Sequence, residues 1–214
     1  MISTKCQHAV ALAAILLAAG PTTLAGQVGR NQHVLNPNLA TEEQLAAVPG
    51  LDDAAVRAIV GGRPFPSMTA LHGAIEGART PEQMKDLYAR LFLPINLNTA
   101  SRDEIMLVPG MGPRMAHEFE EYRPYRALTQ FRREIGKYVD SAEVARLEQF
   151  VFVPLDLNSA TDDDLMSIPG MGPRMLREFK EYRPYRSIEQ FRREIGKYVN
   201  ENEVARFERY VTIR

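Results

Sequence analysis

The chain has 214 residues, 45% hydrophobic and 25% charged, with 26 Lys and Arg against 27 Asp and Glu for a formal net charge of −1. This hydrophobic content excludes a wholly disordered chain, and the balanced charge excludes a domain that holds nucleic acid through net positive charge alone. One cysteine, Cys6, leaves no disulfide framework and no thiolate metal centre.

In chain order, residues 1–25 come first, with Lys5, an apolar run from Ala9 to Ala19 and a small-residue exit at Thr23-Leu24-Ala25. This pattern predicts a secretory signal peptide cleaved near Ala25, which would take Cys6 with it. The apolar run is too short to span a bilayer, and no later stretch is longer. The expected product is exported, periplasmic or secreted, with no membrane insertion of the mature chain. Residues 26–33 read as a linker.

From there the sequence repeats. Residues 95–154 laid over 155–214 without a gap agree at 36 of 60 positions, and the same offset upstream finds a worn copy at 34–94. In the worn copy Pro49-Gly50 stands for Pro109-Gly110, Arg63-Pro64 for Arg123-Pro124, and Leu71 and Ile75 for Phe131 and Ile135. Repeats of this length are each a fold hypothesis. The expected architecture is three tandem units of about 60 residues at 34–94, 95–154 and 155–214.

Within a unit the helix signals agree. Thr41 with Gln44, Ser101 with Glu104 and Thr161 with Asp164 sit at N-cap and N3 positions, so a short first helix opens there and ends at the Pro-Gly pair. A second helix has Pro113 at its first position and carries Met115, Phe119 and Tyr122 inward until Pro124 stops it. A third runs from Leu128 to Ile135, closed by Gly136, with Phe131 inward. Asp140 with Glu143, Asn200 with Glu203, and Thr80 before Pro81 open a fourth, with Val144, Leu147 and Val151 facing inward. No stretch alternates over strand length, so the predicted fold is all-α with four helices per unit.

Between the first and second helices lies "VPGMGPR", a tight hairpin whose glycines permit positive φ and close backbone approach. The amides of Gly110, Met111 and Gly112, and of Gly170, Met171 and Gly172, precede a helix N-terminus, where free N–H groups suit a phosphate. Arg114 and Arg174 add charge beside them. Such contacts grip a nucleic-acid backbone without reading bases.

"INLNTASRDEIMLVPGMGPRMAHEF" and "LDLNSATDDDLMSIPGMGPRMLREF" resemble the helix-hairpin-helix module of ComEA-like competence proteins, with an Asn-Thr/Ser-Ala lead-in and a Pro-Gly-hydrophobic-Gly hairpin. The resemblance implies an exported protein that binds double-stranded DNA through the hairpin glycines and nearby basic residues, in DNA uptake. Two departures matter. The family's second glycine hairpin is here "EIGKYV", a degenerate pseudo-repeat with Glu134 or Glu194 in the first glycine's place. The first unit reads "VPGLDDAAV", where Asp52 replaces the second glycine as a helix N-cap and repels phosphate.

The positive charge concentrates in Arg123, Arg126, Arg132, Arg133 and Lys137, and again in Arg183, Arg186, Arg192, Arg193 and Lys197. Two readings of this face stand: a basic lip supporting the hairpin, or a solvated surface salt-bridged to neighbouring acids. Tyr122, Tyr125 and Phe131 read as core or loop packing. His33, His72 and His117 are isolated and at no metal-ligand spacing, and no nucleophile with its base is recognisable, so neither enzyme chemistry nor a metal or cofactor is expected. The expected partner is duplex DNA without sequence preference. The alternative is a periplasmic or envelope protein complex, in which the module is structural, as in the extrinsic helix-hairpin-helix subunit of photosystem II.

Overall fold

The computed structural model describes residues 33–214. The predicted signal peptide and all but the last residue of the linker lie outside them. Among the described residues no helix is long and apolar enough to cross a membrane.

The described chain is mostly helical, and its helices recur at sixty-residue spacing. The short first helices are α1 (Glu42–Ala46), α5 (Arg102–Met106) and α9 (Asp162–Met166); the second are α2 (Asp53–Gly62), α6 (Pro113–Glu121) and α10 (Pro173–Glu181). The third are α3 (Met68–Ile75), α7 (Leu128–Ile135) and α11 (Ile188–Ile195), and the fourth α4 (Pro81–Tyr88), α8 (Ser141–Glu148) and α12 (Glu201–Glu208).

The expected caps form. Thr41, Thr80 and Thr161 close capping boxes, and Asp140 and Asn200 each accept the amide of the residue three places on. Ser101 caps α5, but Glu104 does not complete the box. Its carboxylate instead accepts the Met68 amide at 2.6 Å, capping α3 of the preceding repeat while 8% exposed. The local pattern was right about the helix start; a partner 36 residues back took the side chain.

The mostly helical expectation holds, with one addition. Each repeat is closed by a parallel pairing of its first and last residues: β1 (Ile95–Asn96) with β2 (Val151–Phe152), β3 (Leu155–Asp156) with β4 (Val211–Thr212), and an isolated bridge between Leu35 and Leu91. Val151, expected on a helix, is buried in β2. Two-residue strands are too short to produce an alternating pattern, so the sequence carries no periodic sign of them.

Two side-chain staples recur, the first whole in all three copies and the second whole in two. Asn98 accepts the Tyr125 amide at 2.6 Å and donates to the Tyr125 carbonyl at 2.9 Å, and Asn38 with Phe65 and Asn158 with Tyr185 do the same. Arg123 donates to the carbonyls of Leu97 and Ala100 at 2.6 and 2.7 Å, and Arg63 makes the matching pair to Pro37 and Ala40. These bonds tie the lead-in of each repeat to the turn before its third helix, satisfying backbone groups that no regular element would reach.

Packing does the rest. Phe119 meets Phe131 edge-on at 5.2 Å, and Phe179 meets Phe191 in the same way at the same distance. One continuous core runs from Val34 to Val153 across the first two repeats, and a second from Phe152 to Val211 fills the third. Phe92 packs on Phe150 at 5.0 Å and Phe152 on Tyr210 at 4.7 Å, so the last residues of one repeat support the end of the next. The third repeat also reaches the first: Arg209 donates to the Pro66 carbonyl at 3.0 Å and the Pro94 carbonyl at 2.5 Å, and lies over the Phe152 ring.

Candidate functional site

The hairpin is set by backbone geometry. Gly50, Gly110 and Gly170 have φ of 87°, 78° and 76°, the left-handed region that favours glycine. Gly112 and Gly172 are the N-caps of α6 and α10, and neither helix has a side-chain cap bond. Nine of the other ten helices among the described residues have one, the exception being α7 behind Ala127. The first-turn amides of α6 and α10 therefore keep the donors that a capping oxygen would take.

In the first repeat that place is filled. Asp52 accepts the Ala55 amide at 2.8 Å and pairs with Arg79 at 2.6 Å. The Ala55 amide, followed by Arg79, holds its carboxyl below the usual range despite some burial. This is the N-cap role expected for Asp52, and it occupies the position that Gly112 and Gly172 leave open.

One predicted donor is spent. The Met111 amide bonds the Val108 carbonyl at 2.9 Å, and Met171 does the same to Ile168, closing the turn. Met111 is half-buried against the core and Met171 is buried at 9% exposure. The outward-facing set is thus Gly110 and Gly112 with Arg114, and Gly170 and Gly172 with Arg174. Both arginines are exposed and pair with no carboxylate among the described residues.

A feature that local sequence reasoning passed over holds the hairpin from behind. Arg146 of α8 donates to the Pro109 carbonyl at 2.6 Å while Glu143 grips its guanidinium with both oxygens. Arg206 does the same to Pro169, held by Glu203. The Arg146 side chain is 35% exposed and that of Arg206 4%. The difference comes from the first repeat, since Leu39 lies 3.1 Å from where a Cβ of Gly170 would be. The third hairpin is backed, not blocked: a Cβ at Gly172 would meet nothing within 4 Å. The sequence did hold a signal, because Glu143-Arg146 and Glu203-Arg206 recur in both copies with an open hairpin while Asp86 stands in the third.

The basic patch divides. Arg123 and Arg183 do not belong to it, being half-buried with guanidinium donors turned to carbonyls, Arg183 to that of Ala160 at 2.8 Å. Arg132 is bound by both oxygens of Glu148 at 2.6 Å, and Arg192 by Glu208 at 2.6 and 2.5 Å. Glu134 joins Arg133 and Lys137, and Glu194 joins Arg193 and Lys197. The Lys137 and Arg133 bonds hold the Glu134 carboxyl below its ordinary 4.5. Arg126 and Arg186 are exposed and pair with no carboxylate among the described residues.

Arg114 and Lys137 meet around a tyrosine pair. The Tyr122 and Tyr138 hydroxyls are 2.8 Å apart, with Lys137 over the Tyr122 ring at 5.0 Å and Arg114 over the Tyr138 ring at 6.0 Å. The hairpin arginine and the tip of the degenerate hairpin thus share one edge. In the third repeat Tyr182, Tyr198 and Lys197 repeat the arrangement. Tyr125 and Phe131 are buried, as expected of core residues. Among the described residues no group of three His, Cys, Asp or Glu could hold a metal. Comparison with protein-family models, with curated proteins and with solved structures finds no match for this chain.

Proposed function

We propose that this is an exported, non-enzymatic protein of three tandem four-helix units, divided at 94/95 and 154/155, whose second and third units bind duplex DNA without sequence preference. The observation that carries the reading is the pair of uncapped helix N-termini at Gly112 and Gly172, each beside an exposed, unpaired arginine. Free amides at a helix start, with the helix dipole, suit a phosphate oxygen. The first unit, plugged by Asp52, acts as a spacer and docking body. The likeness of the hairpin segments to ComEA-like proteins supports the same reading, with DNA uptake as the setting.

Binding of this kind is weak and salt-sensitive, because Glu134, Glu148, Glu194 and Glu208 already neutralise much of the basic face. The test is Gly112→Asp with Gly172→Asp, which brings the first repeat's cap into the other two. A Cβ at either position has open space, and an aspartate cap stabilises a helix as well as glycine or slightly better. The double variant should melt no lower than the parent and lose its mobility shift with duplex DNA. Retained binding in the folded variant would rule out the hairpins as the site.

The ion-paired state of the basic face favours a second reading, a structural role within a periplasmic or envelope protein complex. It predicts no DNA shift at physiological salt and co-purification with one defined assembly.

A further inference from the structure

Beside the Gly110–Met111 turn lies a cleft of about 550 Å³ between two repeats. One wall is α3 and α4 of the first repeat, with His72, Glu76, Met84, Lys85 and Tyr88; the other is the stretch from Met106 to Met111. The positions of His72 and Tyr88 correspond, at sixty-residue spacing, to those of the ion pairs Arg132–Glu148 and Arg192–Glu208. In the first repeat both partners of that pair have changed together. His72 Nδ1 lies 2.5 Å from the Tyr88 hydroxyl and its Nε2 2.9 Å from Glu76. With Nε2–H donating to the carboxylate, Nδ1 accepts from the phenol. The histidine that looked isolated in sequence is the centre of a three-residue chain at the cleft.

The lining describes a ligand. Met84, Met106 and Met111 offer thioether walls, which adapt to flat rings and contact them favourably. Met106 is 38% exposed, so its wall is open to solvent. With both His72 nitrogens engaged, the Glu76 carboxylate keeps acceptor capacity for a polar ring edge. Lys85 is exposed, pairs with no carboxylate among the described residues, and supplies a cation at the rim. A flat ring with a polar edge, attached to an anionic chain, is a nucleobase on its sugar-phosphate. Gly110 and Met111 belong both to the hairpin and to the cleft wall, so a phosphate on the hairpin has its own base next to the cleft.

We propose that this cleft takes an unpaired base from the single-stranded end of a DNA duplex whose backbone lies on the Gly110–Gly112 hairpin. The inference rests on the phosphate reading of that hairpin. Paired bases inside a duplex cannot enter, so the preference is for ends over continuous duplex. The experiment compares a blunt duplex with the same duplex carrying a short overhang, using the full chain at low salt. The overhang should bind about fivefold tighter or more, the low end of what one stacked base contributes. Met106→Ala should remove that advantage and leave blunt-duplex affinity unchanged. A photoreactive base in the overhang should crosslink within the two walls of the cleft. Equal affinity for blunt and overhung duplex, or crosslinks elsewhere, would overturn the cleft and leave the hairpin function standing. Loss of binding to every DNA would overturn both.

Discussion

Replacing Glu134 and Glu194 together by Gln converts the charge on the candidate interface into a measurable slope. In each intact repeat one exposed hairpin arginine stands beside two cations that share one carboxylate, Arg133 and Lys137 on Glu134 or Arg193 and Lys197 on Glu194. Counting only these side chains, and not the unpaired Arg126 and Arg186, leaves the equivalent of two free cations per repeat and four over the two repeats. At 0.9 ions released per neutralised phosphate, the log-log dependence of affinity on salt has a slope of about −3.6. Between 50 and 200 mM salt the parent should then weaken about 150-fold. Removing both carboxylates frees one further cation per repeat, steepening the slope to about −5.4 and the loss to about 1,800-fold over the same range. The variant should bind more tightly than the parent at the low-salt end. Fluorescence anisotropy of a short labelled duplex across a salt series reads both numbers, with circular dichroism confirming the fold. Superimposable slopes, or a variant that binds more weakly at low salt, would refute the assignment of Arg133, Lys137, Arg193 and Lys197 to the interface.

Three further outcomes follow from the packing. A Cβ on Gly136 would lie 2.7 Å from the Arg132 carbonyl oxygen, so Gly136→Ala should destabilise by about 1–3 kcal/mol in a chemical melt, whereas Gly112→Ala should cost far less. Arg209→Ala removes two bonds to the Pro66 and Pro94 carbonyls, which should cost about 1–3 kcal/mol and speed proteolysis near residue 94. The carboxyls of Glu134, Glu143 and Glu194 are held below their ordinary 4.5, each first by a bond from Lys137, Arg146 or Lys197 respectively. Depressed carboxylates stabilise fully above their unfolded value and lose that contribution as pH falls through the folded one. Melting temperature should therefore drop below about pH 4.5, and less steeply in Glu134→Gln with Glu194→Gln.

Much of the helical framework is legible in the sequence because its causes are local. Thr41, Thr80, Thr161, Asp140 and Asn200 cap the helices whose starts they mark, and Leu128–Ile135 is a helix with the expected bounds. The replacement of a hairpin glycine by Asp52 is legible for the same reason, since a cap bond spans three residues. The fate of the basic run is not local. Arg132 finds its acid sixteen residues on, and Arg123 finds its carbonyls 23 and 26 residues back. The repeat itself carried a clue: Arg63-Pro64 persists in the copy whose hairpin is disabled, as a staple should and a phosphate ligand need not.

By itself, then, the sequence determined the sixty-residue period, the helix starts and stops, and the difference between an open hairpin and one closed by its own carboxylate, all from interactions within a turn or two. Only tertiary structure decided which arginines remain unpaired, that Glu104 caps a helix of the preceding repeat, and that His72 and Tyr88 meet at a cleft beside Gly110. Long side chains choose among partners by distance in space, and the folding back of each helix on its neighbour sets that distance. The same geometry balances the charge on the basic face: Glu134, Glu148, Glu194 and Glu208 already hold a base, and the unpaired arginines beside Gly112 and Gly172 stand at two of the three helix starts, among the described residues, without a side-chain cap.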